Sequence, residues 1–135
     1  MSKPNLLTKG TALAGHFEWL TASIIVAAEA ANVINVAIQL KDGNGQDRTE
    51  RTAVMAYLSD DANGDSVAGT APDTVAIGTD GLMMELVADK VFLLVSEADG
   101  DIDINIGEDG ADTWYLILIL PNGDLVASGA ITFAA

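Results

Sequence analysis

The chain has 135 residues, half of them hydrophobic, a formal net charge of -14 and no cysteine. That length holds one ordinary domain with a real core. The apolar content argues against disorder, and the missing thiols exclude disulfides and cysteine chemistry. The charge argues against nucleic acid and anionic membrane as partners, and no segment has the apolar length of a membrane span. Residues 1–20 read as an N-terminal arm. Leu6, Leu7, Leu13, Phe17, Trp19 and Leu20 recur without a clean period, Gly10 and Gly15 interrupt any helix, and Lys3 and Lys9 are two of only six basic residues. Such a segment gains order by lying on a partner or by folding against its own domain. It also lacks the continuous apolar core and cleavage site of a secretory signal, so synthesis and first residence in the cytoplasm of the producing cell are expected.

Residues 21–135 read as the folded domain. Ile24, Ile25 and Val26 predict a short strand over 23–27, although the alanines that follow favour a helical turn. Over 33–41, Ile34, Val36, Ile38 and Leu40 alternate with Asn35, Ala37, Gln39 and Lys41, the pattern of a half-buried strand. Asp42-Gly43-Asn44-Gly45 is a turn, and Thr52, Val54, Ala56 and Leu58 form the inward set of the next strand. The stretch from Ser59 to Thr74 reads as one long loop, a length often used for binding. Strands follow over 82–87 and 90–96, and Ile102, Ile104 and Ile106 alternate with Asp101, Asp103 and Asn105.

Thr113 to Phe133 is the organising hairpin. Trp-Tyr-Leu-Ile-Leu-Ile-Leu is apolar on both strand faces, as in a central strand covered on both sides. Pro121-Asn122-Gly123-Asp124 turns the chain. In the return strand Leu125, Ala127, Gly129, Ile131 and Phe133 are expected to share a face. Short strands separated by turns at this spacing predict an all-β fold, a single antiparallel immunoglobulin-like β-sandwich. Tyr115 is placed where such a sandwich sets a tyrosine corner; an ordinary buried aromatic is the other reading.

Chemistry finds little material. His16 is the only histidine and lies in the arm, and no glycine-rich loop precedes a helix. The acidic residues cluster in turns, where nothing raises a carboxyl pKa for acid work and where their charge deters association of strand edges. Asp99 to Asn105 superficially resembles a calcium loop. Counting from Asp101, however, Ile106 takes the sixth place, where glycine belongs, and Asp112 takes the twelfth, where glutamate belongs. Glu18 and Trp19 form too small a set for a carbohydrate platform, and burial at an interface suits Trp19 better. No catalytic, cofactor or metal residues are assigned, and no enzyme activity is expected. The expected partner interface is Leu6, Leu7, Leu13, His16, Phe17, Trp19 and Leu20.

Three stretches resemble the bacterial immunoglobulin-like (invasin-type) pattern: Val36-Ala37-Ile38-Gln39-Leu40-Lys41-Asp42-Gly43-Asn44-Gly45, then Gly78-Thr79-Asp80-Gly81, then Trp114-Tyr115-Leu116 with the ending Ile131-Thr132-Phe133. Tyr57-Leu58-Ser59-Asp60-Asp61, Leu94 to Asp101 and Leu120-Pro121-Asn122-Gly123 are similar to small virion proteins of tailed bacteriophages, typically encoded beside the major capsid protein. The resemblance spans residues 33–133. It implies a capsid decoration (cement) protein on the capsid exterior, binding the major capsid protein as a homo-oligomer, trimer or dimer. The alternative is a receptor- or glycan-binding module of a tail or fibre, with its affinity in the loop from Ser59 to Thr74.

Overall fold

Alternation of apolar and polar residues at the two-residue period of a strand drives the architecture. The computed structural model describes residues 20–134. Ten strands occur there: β1 (Thr21–Val26), β2 (Val33–Lys41), β3 (Ala53–Ser59), β4 (Thr74–Ile77), β5 (Leu82–Val87), β6 (Val91–Val95), β7 (Asp101–Gly107), β8 (Asp112–Ile119), β9 (Leu125–Ala127) and β10 (Ile131–Phe133). Among the described residues there is no helix. One sheet, A, has the order β1-β2-β7-β4, and the other, B, the order β10-β8-β3-β6-β5 with β9 also on β8. All pairings are antiparallel. The fold is therefore the all-β, antiparallel immunoglobulin-like sandwich that the strand pattern predicts.

The core is the layer between the sheets. From sheet A come Ile34, Val36, Ile38 and Leu40 of β2 and Ile102, Ile104 and Ile106 of β7. Sheet B answers with Val54, Ala56 and Leu58, Phe92 and Leu94, and Trp114, Leu116 and Leu118. Trp114 meets Phe133 edge to face, with ring centroids 6.1 Å apart, and its indole N–H donates to the Thr70 carbonyl at 2.9 Å. Both the apolar body and the polar tip of this ring are thereby satisfied.

Three sequence expectations need correction. The stretch from Ser59 to Thr74 is a loop only as far as residue 73, because Thr74–Ile77 pairs with Ile104–Gly107 as the edge strand β4. The return strand after Gly123 is split in two. Ala127 lies opposite Ile117 but Ile131 lies opposite Trp114, so four steps on one strand match three on the other. The extra residue is a bulge, and it flips which side chains face inward. Hence Leu125 is exposed while Ile131 and Phe133 are buried. Ser128 repairs the ladder at the break: its amide donates to the Leu116 carbonyl at 2.8 Å, and its hydroxyl accepts from the Leu116 amide at 2.9 Å. The tyrosine that ties a loop to the sheet is Tyr57 rather than Tyr115. Its hydroxyl donates to the Gly64 carbonyl at 2.5 Å.

Replacing Ser128 by Ala leaves the fully buried Leu116 amide without its acceptor, which costs about 1–3 kcal/mol. Urea unfolding should show that loss as a lower midpoint at unchanged slope.

Candidate functional site

The two outer faces of the sandwich differ in kind. On sheet A the outward side chains of the central strands are Val33, Asn35, Ala37, Gln39 and Lys41 on β2 and Asp101, Asp103 and Asn105 on β7, six of the eight polar. The Asn35 side-chain amide donates to Asp103 Oδ2 and to Asn105 Oδ1, both at 2.8 Å. Asp103 Oδ1 accepts from the backbone amides of Thr79 at 2.8 Å and Asp80 at 2.6 Å. The loop over residues 78–80 is thus latched to β7, and a Cβ at Gly78 would overlap the Asp103 carboxylate. Burial pushes the Asp103 carboxyl up, but hydrogen bonds from the Asp80 amide, the Asn35 side chain and the Thr79 amide outweigh it and hold it below its ordinary value. Asp101 is shifted up, by burial first and then by Asp99 and Asp80. The residues of the calcium-like stretch therefore have a structural use, and among the described residues no cluster of three or more His, Cys, Asp or Glu is arranged to hold a metal ion.

The outward face of sheet B is apolar. The strand registers set side chains in three cross-strand rows. The first is Leu82, Val95 and Ala53; the second is Met84, Leu93, Met55, Ile119 and Leu125; the third is Val87, Val91, Tyr57, Ile117 and Ala127. No row holds a charge. The β3–β4 loop covers part of the third row: Gly64 lies over Tyr57 and Ile117, so that a Cβ added there would come within 2.8 Å of the Tyr57 hydroxyl and 3.0 Å of Ile117 Cγ1. This explains why Ile117 is buried although it points away from the core. The first two rows stay open. Leu82 is 59% exposed, Met84 60% and Leu125 50%, and a groove of about 310 Å³ runs among Leu82, Met83, Met84, Leu93 and Val95.

The β3–β4 loop is itself tied down along its length. Besides the Tyr57 bond, the Ala68 amide donates to the Leu58 carbonyl at 2.8 Å and the Gly69 amide to Asp60 Oδ2 at 2.9 Å. Lys90 Nζ holds the Gly69 carbonyl at 2.9 Å. Burial, then the charges of Asp65 and Asp61, raise the Tyr57 pKa, which keeps its hydroxyl a donor. Asp65 is shifted up by its hydrogen bond with Asp61.

Of the seven residues expected at a partner interface, Leu6, Leu7, Leu13, His16, Phe17 and Trp19 lie outside the described residues. Leu20 is described and is 2% exposed within the core cluster. Its inward side chain completes the sandwich next to β1, so it is part of the core and not of an open interface. Sequence reasoning missed the sheet B face, although the runs Leu82-Met83-Met84 and Leu93-Leu94-Val95 carry its signal.

No family model matches the sequence and no curated protein does. Among solved structures the chain is similar to a cohesin module from the Clostridium perfringens ATCC13124 family 33 glycoside hydrolase. The two share 12% identity over 85% of this chain and 96% of that one, at a TM-score of 0.49.

The Asp103 latch has a pH signature. Because its folded pKa is depressed, its stabilisation is present above the unfolded carboxylate value, about 3.9, and is lost as pH falls through the folded value. Asp101, shifted up, contributes with the opposite sign, so the comparison must be made on an Asp103 variant. Asp103→Asn should lower neutral-pH stability by about 1–3 kcal/mol. The gap to the parent chain should close as the pH drops below about 3.9, measured by denaturant unfolding across pH 2.5–7.

Proposed function

We propose that this protein is a non-enzymatic structural component that works by adhesion through the outer face of sheet B. Its partner, in this reading, is the exterior of a bacteriophage capsid, where it binds the major capsid protein lattice as a decoration or cement protein. One observation carries the adhesive half: two open rows of apolar side chains on a chain whose net charge is otherwise strongly negative. Monomeric soluble proteins rarely leave contiguous apolar patches of this kind uncovered, and such patches mark interaction sites. The capsid half is supported by the similarity of Tyr57–Asp61, Leu94–Asp101 and Leu120–Gly123 to small virion proteins.

The physics suits a repeated lattice. A charge-free contact keeps the repulsion between acidic copies of this chain out of the interface itself, and many copies, or a trimer or dimer engaging several sites, turn a modest contact into stable occupancy. The receptor- or glycan-binding alternative puts affinity in the loop after Ser59. That loop is pinned by Tyr57, Asp60, Lys90 and Trp114, which favours docking through the sheet.

The double substitution Leu82→Asp with Met84→Asp tests this. Both side chains are more than half exposed, so the fold should change in stability by no more than about 0.5 kcal/mol each. Co-sedimentation with shells assembled from a phage major capsid protein, the partner this reading names, should weaken at least about ten-fold. Undiminished binding removes the face from the account. Binding of the parent chain should hold or strengthen between 50 and 500 mM salt, since screening weakens only the repulsion.

A further inference from the structure

We propose that β1 is the contact strand of a two-fold homodimer: its free edge pairs antiparallel with β1 of a second copy and joins the two copies of sheet A into one sheet. This pairing uses an edge of sheet A and leaves the outer face of sheet B, and the docking reading built on it, untouched.

The backbone shows which groups are free. The Ala27 amide donates to the Asn35 carbonyl at 2.9 Å, in the same register that sets Val26 opposite Val36 and Thr21 opposite Lys41. In an antiparallel ladder, hydrogen-bonded and non-hydrogen-bonded pairs alternate. Thr21, Ser23 and Ile25 therefore bond to β2, and the amides and carbonyls of Ala22, Ile24 and Val26 point to the free side. Leu40, opposite Ala22, agrees: its amide goes to the Gly100 carbonyl and its carbonyl takes the Arg48 amide, each at 2.9 Å. Among the described residues nothing bonds to the outward groups of Ala22, Ile24 and Val26. The side chains of these three are only partly buried against the core, whereas Val36, Ile38 and Leu40 beside them are at most 2% exposed. One more strand would close both deficits.

The other edges are protected in the ways natural sheets use against edge pairing. β4 is four residues long, and Asp89 Oδ1 takes its Val75 amide at 2.8 Å. β5 carries Glu85 and a register shift between Glu85 and Val87. β9 and β10 are three residues each, separated by the break at Ser128. β1 has none of these devices. Its six residues, Thr-Ala-Ser-Ile-Ile-Val, include no charge, proline or glycine, and they pair with β2 without a shift. Such a segment on an open edge is an aggregation hazard unless a defined partner takes it.

Backbone donors and acceptors in this arrangement are matched by another extended strand. A second copy fits because the free set is self-complementary. Set antiparallel about a two-fold axis through Ile24, Ala22 faces Val26 of the second copy and Ile24 faces Ile24, so every outward amide and carbonyl of both strands is used. Neither strand brings a charge to the contact. Ile25, 69% exposed on the outer side, comes to lie against Ser23 of the second copy. Dimerisation also gives one particle two open B faces, which raises occupancy on a repeated surface.

Sedimentation velocity of the full chain tests this at about 0.5 M salt, where repulsion between the acidic bodies is screened. Between about 1 and 500 µM the parent should pass from the chain mass to twice that mass. Ile24→Pro removes an amide that β2 does not use, so its circular dichroism should match the parent's while its dissociation constant rises at least about ten-fold. A parent that stays monomeric, or a folded Ile24→Pro protein that dimerises as the parent does, overturns the proposal; if that variant misfolds, disulfide formation decides alone. The chain has no cysteine, so introduced thiols read the register. Ser23 and Ile25 of opposite copies form non-hydrogen-bonded pairs with Cα atoms about 4.5 Å apart, within disulfide range. A mixture of the Ser23→Cys and Ile25→Cys proteins should oxidise to a linked dimer at least about ten-fold faster than either alone. Linkage no faster in the mixture overturns the pairing even where a dimer forms. Dimerisation by the Leu82→Asp, Met84→Asp protein with undiminished shell binding retains the dimer and rejects the docking face. A monomeric parent whose shell binding is lost in that variant does the reverse.

Discussion

The structure depends on one packed layer: the alternate apolar residues of β2 and β7 set against those of β3, β6 and β8. Val36, Leu40, Ile104, Ala56, Leu58, Phe92, Leu94, Trp114, Leu116 and Leu118 have no measurable exposure. With no disulfide to help, the stability of the domain rests on this layer and on the ladders that hold its register. Once that register is set, every outward residue is set too, because side chains alternate strictly across a strand. The polar face of sheet A and the apolar face of sheet B both follow from the packing of the inner layer.

That coupling explains how the acidic surface is used. Asp103 is taken up by Asn35 and by the amides over residues 79–80. Asp42, Asp61 and Asn122 each accept from an amide two residues on, closing their own turns. These side chains fasten loops, and the rest of the acidic charge keeps the surface repulsive toward copies and phosphates. Against such a background the uncharged rows of sheet B stand out as the surface on which another molecule can come close without meeting like charge.

Much of the fold can be read from local pattern, and the reason is physical. β2 and β7 alternate between isoleucine or valine and polar residues, so one face names itself. The turns at Asp42–Gly45 and Pro121–Asp124 carry their own chemistry, with Gly45 and Gly123 both at positive φ. β4 escapes notice because four residues after Pro72-Asp73 become a strand only by pairing with β7, thirty positions away. The bulge at Ser128 hides because Ala127, Ser128, Gly129 and Ala130 are small and fit either face. Tyr57, buried in a run that reads only as a strand, gives no hint that it anchors a loop seven residues on. The docking face is hidden most deeply. Leu82, Leu93, Met55, Ile119 and Leu125 each look like ordinary strand hydrophobics, and only the register places them side by side.

The most direct test is a reconstruction of the decorated particle detailed enough to orient the two sheets. The account predicts sheet B against the shell, with Leu82, Met84 and Leu93 in the contact and Asp101 and Asp103 of sheet A turned to solvent. A particle in which sheet A meets the shell, or in which the rows through Leu82 and Met84 face open solvent, contradicts it.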